Sequence, residues 1–403
     1  MFQLTNVQRK YFGLEPLKTG WHKIPLKGDP RENSFLYFDN DVLKKHIVSN
    51  DDMYDEYQYC EETENKELLL PKTKKGKPQK LTSSTLERRK PLGVSLFVGK
   101  DGRIIIENYD TEKIFYDSDW EIDVKALDKS IADTVEEFIE KSKENHFDEI
   151  KVFQNEKRNN VKYKSGDFFS FKIGRSQYGF GRVLLDVHKL RKKRLVDSNH
   201  GLQLLMGAPV LVNIYGYISD TIKVDLDLLK TMPPLPSDYI MDHNLFYGQY
   251  EIIGSEELDS SELDFPVSYG SSIVGGNENT LFLQWGLIHL EIKRKQFNKY
   301  LSGEIEHLEK ESPSRYINNP YGFYSIGYSP RYYRDDILNT IKGGRFNFKT
   351  SESYKSEFDL RNPRNKKIKD EIFKAFGLNP KVSYEKNAVL AKTEDFFGII
   401  KKL

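Results

Sequence analysis

A single cysteine, Cys60, in 403 residues leaves no internal disulfide and no cluster of thiolate metal ligands. No unbroken apolar run approaches the ~20 residues of a membrane-spanning helix. The nearest, GLQLLMGAPVLVNIYGY (201–217), is interrupted by Gln203, Pro209 and Asn213 and reads as buried strand. The opening MFQLTNVQRK has no apolar core of a secretory signal, so a cytoplasmic protein is expected. Neither charge is in excess: 62 Lys and Arg stand against 61 Asp and Glu, which excludes the strongly basic balance of a nucleic-acid clamp. There is no internal repeat and no low-complexity tract. The eight histidines include no i, i+4 pair and no HExxH, so no helical zinc site is expected, and Asp242-His243 is a lone acid–histidine neighbour.

What the chain does have is 13% aromatics, mostly Tyr and Phe, enough to anchor real cores. At roughly 150 residues per domain, two or three domains are expected. The charge is uneven, with an acidic excess in the first 150 residues and a basic excess after 300. We read three modules: an acidic α+β module at 1–155, a strand-rich module at 160–292, and a mildly basic helical tail at 293–403. EKRNNVKYKSG (156–166) has no apolar stripe and reads as the linker between the first two.

In the first module, Thr5 is placed to cap a helix over NVQRKYFG that ends at Gly13. Trp21–Leu26 and Ser34–Phe38 read as strands, and DVLKKHIV as a helix starting at Asp39 or Asn40. DDMYDEYQYCEETE (51–64) carries seven acidic residues and reads as an exposed edge strand or loop. SSTLERR (83–89) reads as a short capped helix. Leu92–Val98 and Arg103–Asn108 alternate around Gly99-Lys100-Asp101-Gly102, a hairpin signal, and Ile114–Tyr116 can add a strand. Over 123–145, Val124, Leu127, Ile131, Val135, Phe138 and Ile139 recur at helical spacing.

The second module reads as strands at Phe168–Ile173, Tyr178–Asp186, Ala208–Ser219, Gln249–Ile253, Pro266–Tyr269, Thr280–Trp285 and Leu287–Ile292, with a short helix over VDLDLLKTM (224–232). In the tail, 329–344 and 365–377 read as helices and 387–401 as a third. The fold class is therefore α+β: an N-terminal mixed sheet with a packed amphipathic helix, a strand-rich barrel-like or curved-sheet centre, and a helical end.

Three patterns bear on chemistry. GRSQYGFGRV (174–183) lacks the Lys-Ser/Thr of a phosphate loop and leads into a strand, so Gly174 reads as a turn residue and Gly179 and Gly181 as packing residues. The basic runs KTKKGKPQK (72–80), RKKR (191–194) and RNPRNKKIK (361–369) could touch phosphates, but basic loops are usually only solvated. SEELDSSELDF (255–265) sets Glu256, Glu257, Asp259, Glu262 and Asp264 around Ser260-Ser261, which suggests an exposed acidic loop able to cover a basic partner. No catalytic residue, cofactor or metal is assigned.

GDFFSFKIGRSQYGFGRVL (166–184) resembles the opening of the immunity protein 26 family. LLMGAPVLVNIYGY (204–217), YGQYEIIGSEEL (247–258), DFPVSYG (264–270) and LQWGLI (283–288) follow in the family's order, so the resemblance covers roughly 160–290. It implies a cytoplasmic, non-enzymatic protein of bacterial polymorphic-toxin systems that binds and neutralises a cognate protein toxin, with a basic nuclease domain as one fitting partner. The acidic loop is then the expected contact. The alternatives are a nucleic-acid-associated regulatory or defence protein using the basic runs, or a hydrolase whose site the sequence does not reveal.

Overall fold

The structure, a computed structural model, describes residues 2–70, 77, 79–121, 129–271, 279–301, 320–322, 330–351 and 356–403, without the side chains of 330–332. The chain divides into two compact units, Met1–Val161 with Tyr247–Gln249, and Lys162–Phe246 with Tyr250–Leu403. The class is α+β. Every strand pair described is antiparallel, and no sheet closes into a barrel.

The first unit opens with α1 (Asn6–Tyr11), capped by Thr5, whose Oγ1 accepts from the Gln8 amide at 3.1 Å. Gly13 leaves it at φ +68°, where a side chain is strained. Then come β1 (His22–Pro25), β2 (Ser34–Asp39), β3 (Val42–Ser49), β4 (Met53–Glu64), β5 (Leu68–Leu69), β6 (Gln79–Lys80), α2 (Ser83–Leu86), β7 (Leu92–Gly99), β8 (Ile104–Asn108) and β9 (Lys113–Asp117). They form one sheet in the order β1-β2-β3-β4-β7-β8-β9, with β5 and β6 branching from β4. The unit closes with α3 (Ile131–Glu140) and α4 (His146–Asn155). These helices bury Val135, Phe138, Ile150 and Phe153 against Leu96, Val98 and Ile106 of the sheet.

Three expectations change here. DVLKKHIV is strand β3, not helix. Asp39 pairs with Val42 across a two-residue turn in which Asn40 takes φ +52°. A bulge between Leu43 and Lys45 then breaks the alternation, so the apolar spacing imitates a helix. Residues 51–64 are neither edge nor loop: β4 lies between β3 and β7, with Tyr54, Asp55 and Glu56 buried. Its acidity does not expose it, because Glu56 meets Lys45 at 2.6 Å and Arg9 at 3.1 Å. The long helix read over 123–145 is α3 alone. It begins after Ser130, whose Oγ accepts from the Asp133 amide at 3.1 Å, and a second helix, α4, follows. Val124 and Leu127 lie outside the described residues.

In the second unit, β10 (Asp167–Lys172), β11 (Tyr178–Asp186), α5 (Val187–Lys192), β12 (Pro209–Ser219), α6 (Leu226–Thr231), β13 (Asp238–Met241), α7 (His243–Phe246) and β14 (Glu251–Ser255) come first. The strands form a sheet ordered β13-β12-β11-β10-β14. A second sheet holds β15 (Val267–Ser271), β16 (Thr280–Trp285) and β17 (Ile288–Lys293). The last helices are α8 (Pro330–Gly343), α9 (Lys366–Ala375), α10 (Tyr384–Leu390) and α11 (Phe396–Ile400). Three elements of this unit escaped the sequence reading: β13, four residues long and set between Pro236 and α7, and the short helices α5 and α7.

The tail shares the core of this unit. Tyr333 and Ile337 of α8 pack with Phe171, Val183 and Val212. Trp285 of β16 meets Phe373 of α9 at 5.1 Å between ring centroids, and Phe265 meets Tyr384 at 4.6 Å. The Leu287 amide donates to the Tyr384 hydroxyl at 2.9 Å.

Gly179 and Gly181 serve packing. A Cβ on Gly179 would stand 2.6 Å from Phe171 Cζ, and one on Gly181 2.4 Å from Phe169 Cζ and 2.6 Å from the Asn213 carbonyl oxygen. The second obstacle is backbone and cannot swing aside. Gly181→Ala is therefore expected to cost roughly 1–3 kcal/mol in thermal unfolding. Gly343→Ala, with nothing within 4 Å of its Cβ, is the matched control and should cost nothing.

Candidate partner-binding loop

Arg182 is the most buried of the side chains that hold the loop from β14 to β15. Arg182 sits mid-strand in β11, 1% exposed, with its guanidinium 4.1 Å over the Phe168 ring. Its Nη2 donates to the Glu257 carbonyl at 2.9 Å and reaches the Glu256 carbonyl at 3.4 Å. Its Nε lies 2.9 Å from Glu262 Oε1, off-axis for a hydrogen bond, so this contact is an ion pair. Burial pushes the Glu262 carboxyl above the usual carboxylate range, while Arg182 pulls it back. At the loop's start the Glu256 amide donates to the Gly166 carbonyl at 3.0 Å. Gly166 has φ +90°, and a Cβ there would lie 2.1 Å from the Glu256 carbonyl oxygen, so only glycine fits.

The tip is a single 3-10 turn, Ser260–Glu262. Asp259 Oδ1 accepts from the Ser261 amide at 2.7 Å, and Glu262 Oε2 accepts from the Asp259 amide at 2.9 Å. The Ser261 hydroxyl and amide hold the Asp259 carboxyl below its ordinary value. Lys230 of α6 pairs with Glu256 at 2.5 Å. At the far end Asp264 meets Arg361 at 2.9 Å and accepts from the Ser237 amide at 2.9 Å. Burial opposes the Arg361 charge, but Asp264 and Asp359 hold its pKa above the ordinary value.

The five carboxylates expected on an exposed loop therefore divide. Glu257 and Asp259 are exposed, with Ser260 and Ser261 between them and the next carboxylate. Glu256 is half-buried beside Lys230. Glu262 and Asp264 are tied to Arg182 and Arg361, so they are not free members of the exposed acidic loop that was expected. The ties were missed because Arg361 lies 97 residues from Asp264. Arg182 did leave a signal: a lone cation in YGFGRVLLD, a strand with no polar face, requires a buried counter-charge.

In the two basic runs of the second unit, four side chains have partners within the chain. Arg191 donates to the carbonyls of Leu202, Leu205 and Gly207 at 2.8, 2.6 and 3.1 Å. Lys193 donates to the Lys402 carbonyl at 2.5 Å. Arg361 is taken by Asp264 and Asp359, and Arg364 pairs with Glu357 at 3.0 Å. Of KTKKGKPQK, residues 72–76 and 78 lie outside the described residues. GRSQ turns between β10 and β11, as expected of a hairpin.

His200 and His289 are ring neighbours at 5.2 Å. They serve the backbone: His200 Nδ1 accepts from the Leu202 amide and His289 Nδ1 from the Gly201 amide. Burial lowers both to about 4, so both are neutral at pH 7. Among the described residues, no group of three or more His, Cys, Asp or Glu could hold a metal ion. Also among them, no helix is long and apolar enough to cross a membrane.

No curated protein and no solved structure gives a significant match to this chain. One family model does match. It covers β10 to β15 and the whole acidic loop, and stops before LQWGLI (283–288) and the tail. Its description is that of an immunity protein. Over residues 164–279, the chain matches the family model of immunity protein 26.

Proposed function

We propose that this chain neutralises its toxin in the cytoplasm by covering the toxin's active site, and that the rim formed by Glu256, Glu257 and Asp259 is laid against a basic groove such as that of a nuclease. The observation that carries the reading is an exposed acidic loop inside the family-matched segment, pinned by buried Arg182. A pinned loop loses little entropy on binding, which favours recognition. The carboxylates at the edge steer a basic partner and act chiefly on the association rate. The basic runs give the nucleic-acid reading little support, since Arg191, Arg361 and Arg364 already have acceptors within the chain.

The test is stopped-flow association with the cognate toxin domain. Glu256→Gln, Glu257→Gln and Asp259→Asn together are expected to slow association about tenfold at low salt, with much less effect at high salt. Thermal stability should change by no more than about 0.5 kcal/mol, because these charges are at the surface and Asn still caps the turn. Unchanged association kinetics would remove the loop from the interface.

A further inference from the structure

The second unit contains a cleft with about 80 Å³ of space inside it. Leu205, Leu235 and Val267 of the family-matched segment form one part of its wall, and Phe346, Phe348 and Phe358 of the tail form another. The space holds roughly five water molecules, or a ligand head of about five non-hydrogen atoms. Its aromatic part is built of ring pairs: Phe346 and Phe348 meet edge to face at 4.9 Å, and Tyr321 and Phe358 at 6.0 Å.

The polar groups on this wall suit a donor rather than an anion. Asp336 of α8 is 5% exposed and accepts from the Ser351 hydroxyl at 3.0 Å, and a carboxylate has lone pairs for further donors. Asp238 and Asp359 line the same cleft. Among the described lining residues the one guanidinium, Arg361, is committed. Its Nε and Nη2 go to Asp359 at 3.0 and 2.7 Å, and its Nη1 goes to Asp264 at 2.9 Å. An incoming anion would find no uncommitted cation there.

Two lining hydroxyls add an independent sign of a ligand. Tyr239 and Ser268 are each 6% exposed, and neither hydroxyl has a hydrogen-bond partner among the described residues. A buried hydroxyl left without a partner is costly and uncommon, and a ligand in the cleft would satisfy both. Among the described residues no group of three or more His, Cys, Asp or Glu could hold a metal ion, so an organic cation fits.

We infer that this cleft binds a small organic amine: Asp336 and the Tyr239 and Ser268 hydroxyls take the ammonium group, and the Phe346 and Phe348 rings take the alkyl body. Small-ligand sites combine apolar and aromatic walls with a few polar groups in this way, and aromatic faces attract a cation. The tail supplies much of the wall and lies outside the family match, so the site does not depend on the immunity reading.

The test uses the full chain with labelled leucine and valine methyl groups, followed by NMR. The probe is butylammonium, with 1-butanol as an uncharged near-isostere and butyrate as the anionic counterpart. The Leu205, Leu235 and Val267 signals are expected to shift saturably, with half-saturation at about 1–10 mM for so small a ligand. Butanol should bind at least about tenfold more weakly, butyrate should not bind, and Leu96 in the first unit's core should not shift. Ser268→Val, which removes a hydroxyl and fills space, should abolish the response, and Asp336→Asn should weaken it severalfold. Equal binding of butanol, no saturable shift up to about 50 mM, or an undiminished response in the variants would each overturn the site. If these variants do not unfold cooperatively, Tyr239→Phe, which removes a single oxygen, makes the same comparison and should weaken butylammonium severalfold. Acetyl-Gly-Lys-Gly-amide carries the same ammonium on a peptide and should bind no more tightly. Tighter binding of that peptide would make the ligand a protein side chain and overturn the free amine.

Discussion

Ending the chain after Lys293 abolishes cooperative folding of the second unit. That is the expected result, although the family match ends at residue 279 and the sheets end with β17. The largest core of the unit runs from Leu184 through the tail to Ile399. Ile372, Phe373, Phe376, Tyr384, Phe396 and Ile399 are each at most 7% exposed in it. Uncovering a side chain of this size costs about 1.5–3 kcal/mol, so these six together represent on the order of 10 kcal/mol. A whole domain is stable by only about 5–15 kcal/mol. Removal of α8 also bares Phe171 and Val212 on the other sheet. Residues 162–293 expressed alone should aggregate or show the broad, non-cooperative melting of a loosely packed state. A sharp thermal transition and dispersed methyl signals from that fragment would show that the tail is a separate module after all.

The second large effect is at Arg182. Arg182→Met keeps an unbranched apolar stem over Phe168 and removes the charge. It leaves the Glu262 carboxylate, 15% exposed, and two backbone carbonyls without their cation. Breaking a buried pair in this way costs roughly 3–5 kcal/mol, because one charge stays behind. Calorimetry of the full chain should show the loss in the second unit's transition. Hydrogen exchange should accelerate across 256–264, while amides of β16 keep their rank order. Arg182→Lys retains the charge without the fork, so a smaller loss is expected. Should Arg182→Met melt within about 1 kcal/mol of wild type, the loop is not held in the way described.

How much of this was legible in the sequence follows from the range of the interactions. The hairpin at Gly99–Gly102, the capped helix after Thr5, and the strands from Phe168 to Trp285 rest on local turn and alternation signals, and the structure has them. The resemblance over roughly 160–290 rested on five ordered pieces, and the family match covers 164–279. What failed was local pattern overruled by distant partners. The bulge opposite Leu43 gave β3 a helix-like spacing. The acidic stretch 51–64 looked solvated because Glu56 is neutralised by Arg9, 47 residues away, and by Lys45 on the neighbouring strand β3, which was read as helix. The same holds for the loop. Its residues were found as a charge cluster, but their division into exposed and anchored members depends on Arg182, Lys230 and Arg361, contributed by β11, α6 and the segment before α9.

The most direct test of the central claim is growth of cells that express the cognate toxin domain, with and without the full chain. The account predicts that the wild-type chain restores growth. It also predicts that the Glu256→Gln, Glu257→Gln, Asp259→Asn variant, folded and equally abundant, protects markedly less. Failure of the wild-type chain to protect, with both proteins present in the cell, would contradict the account.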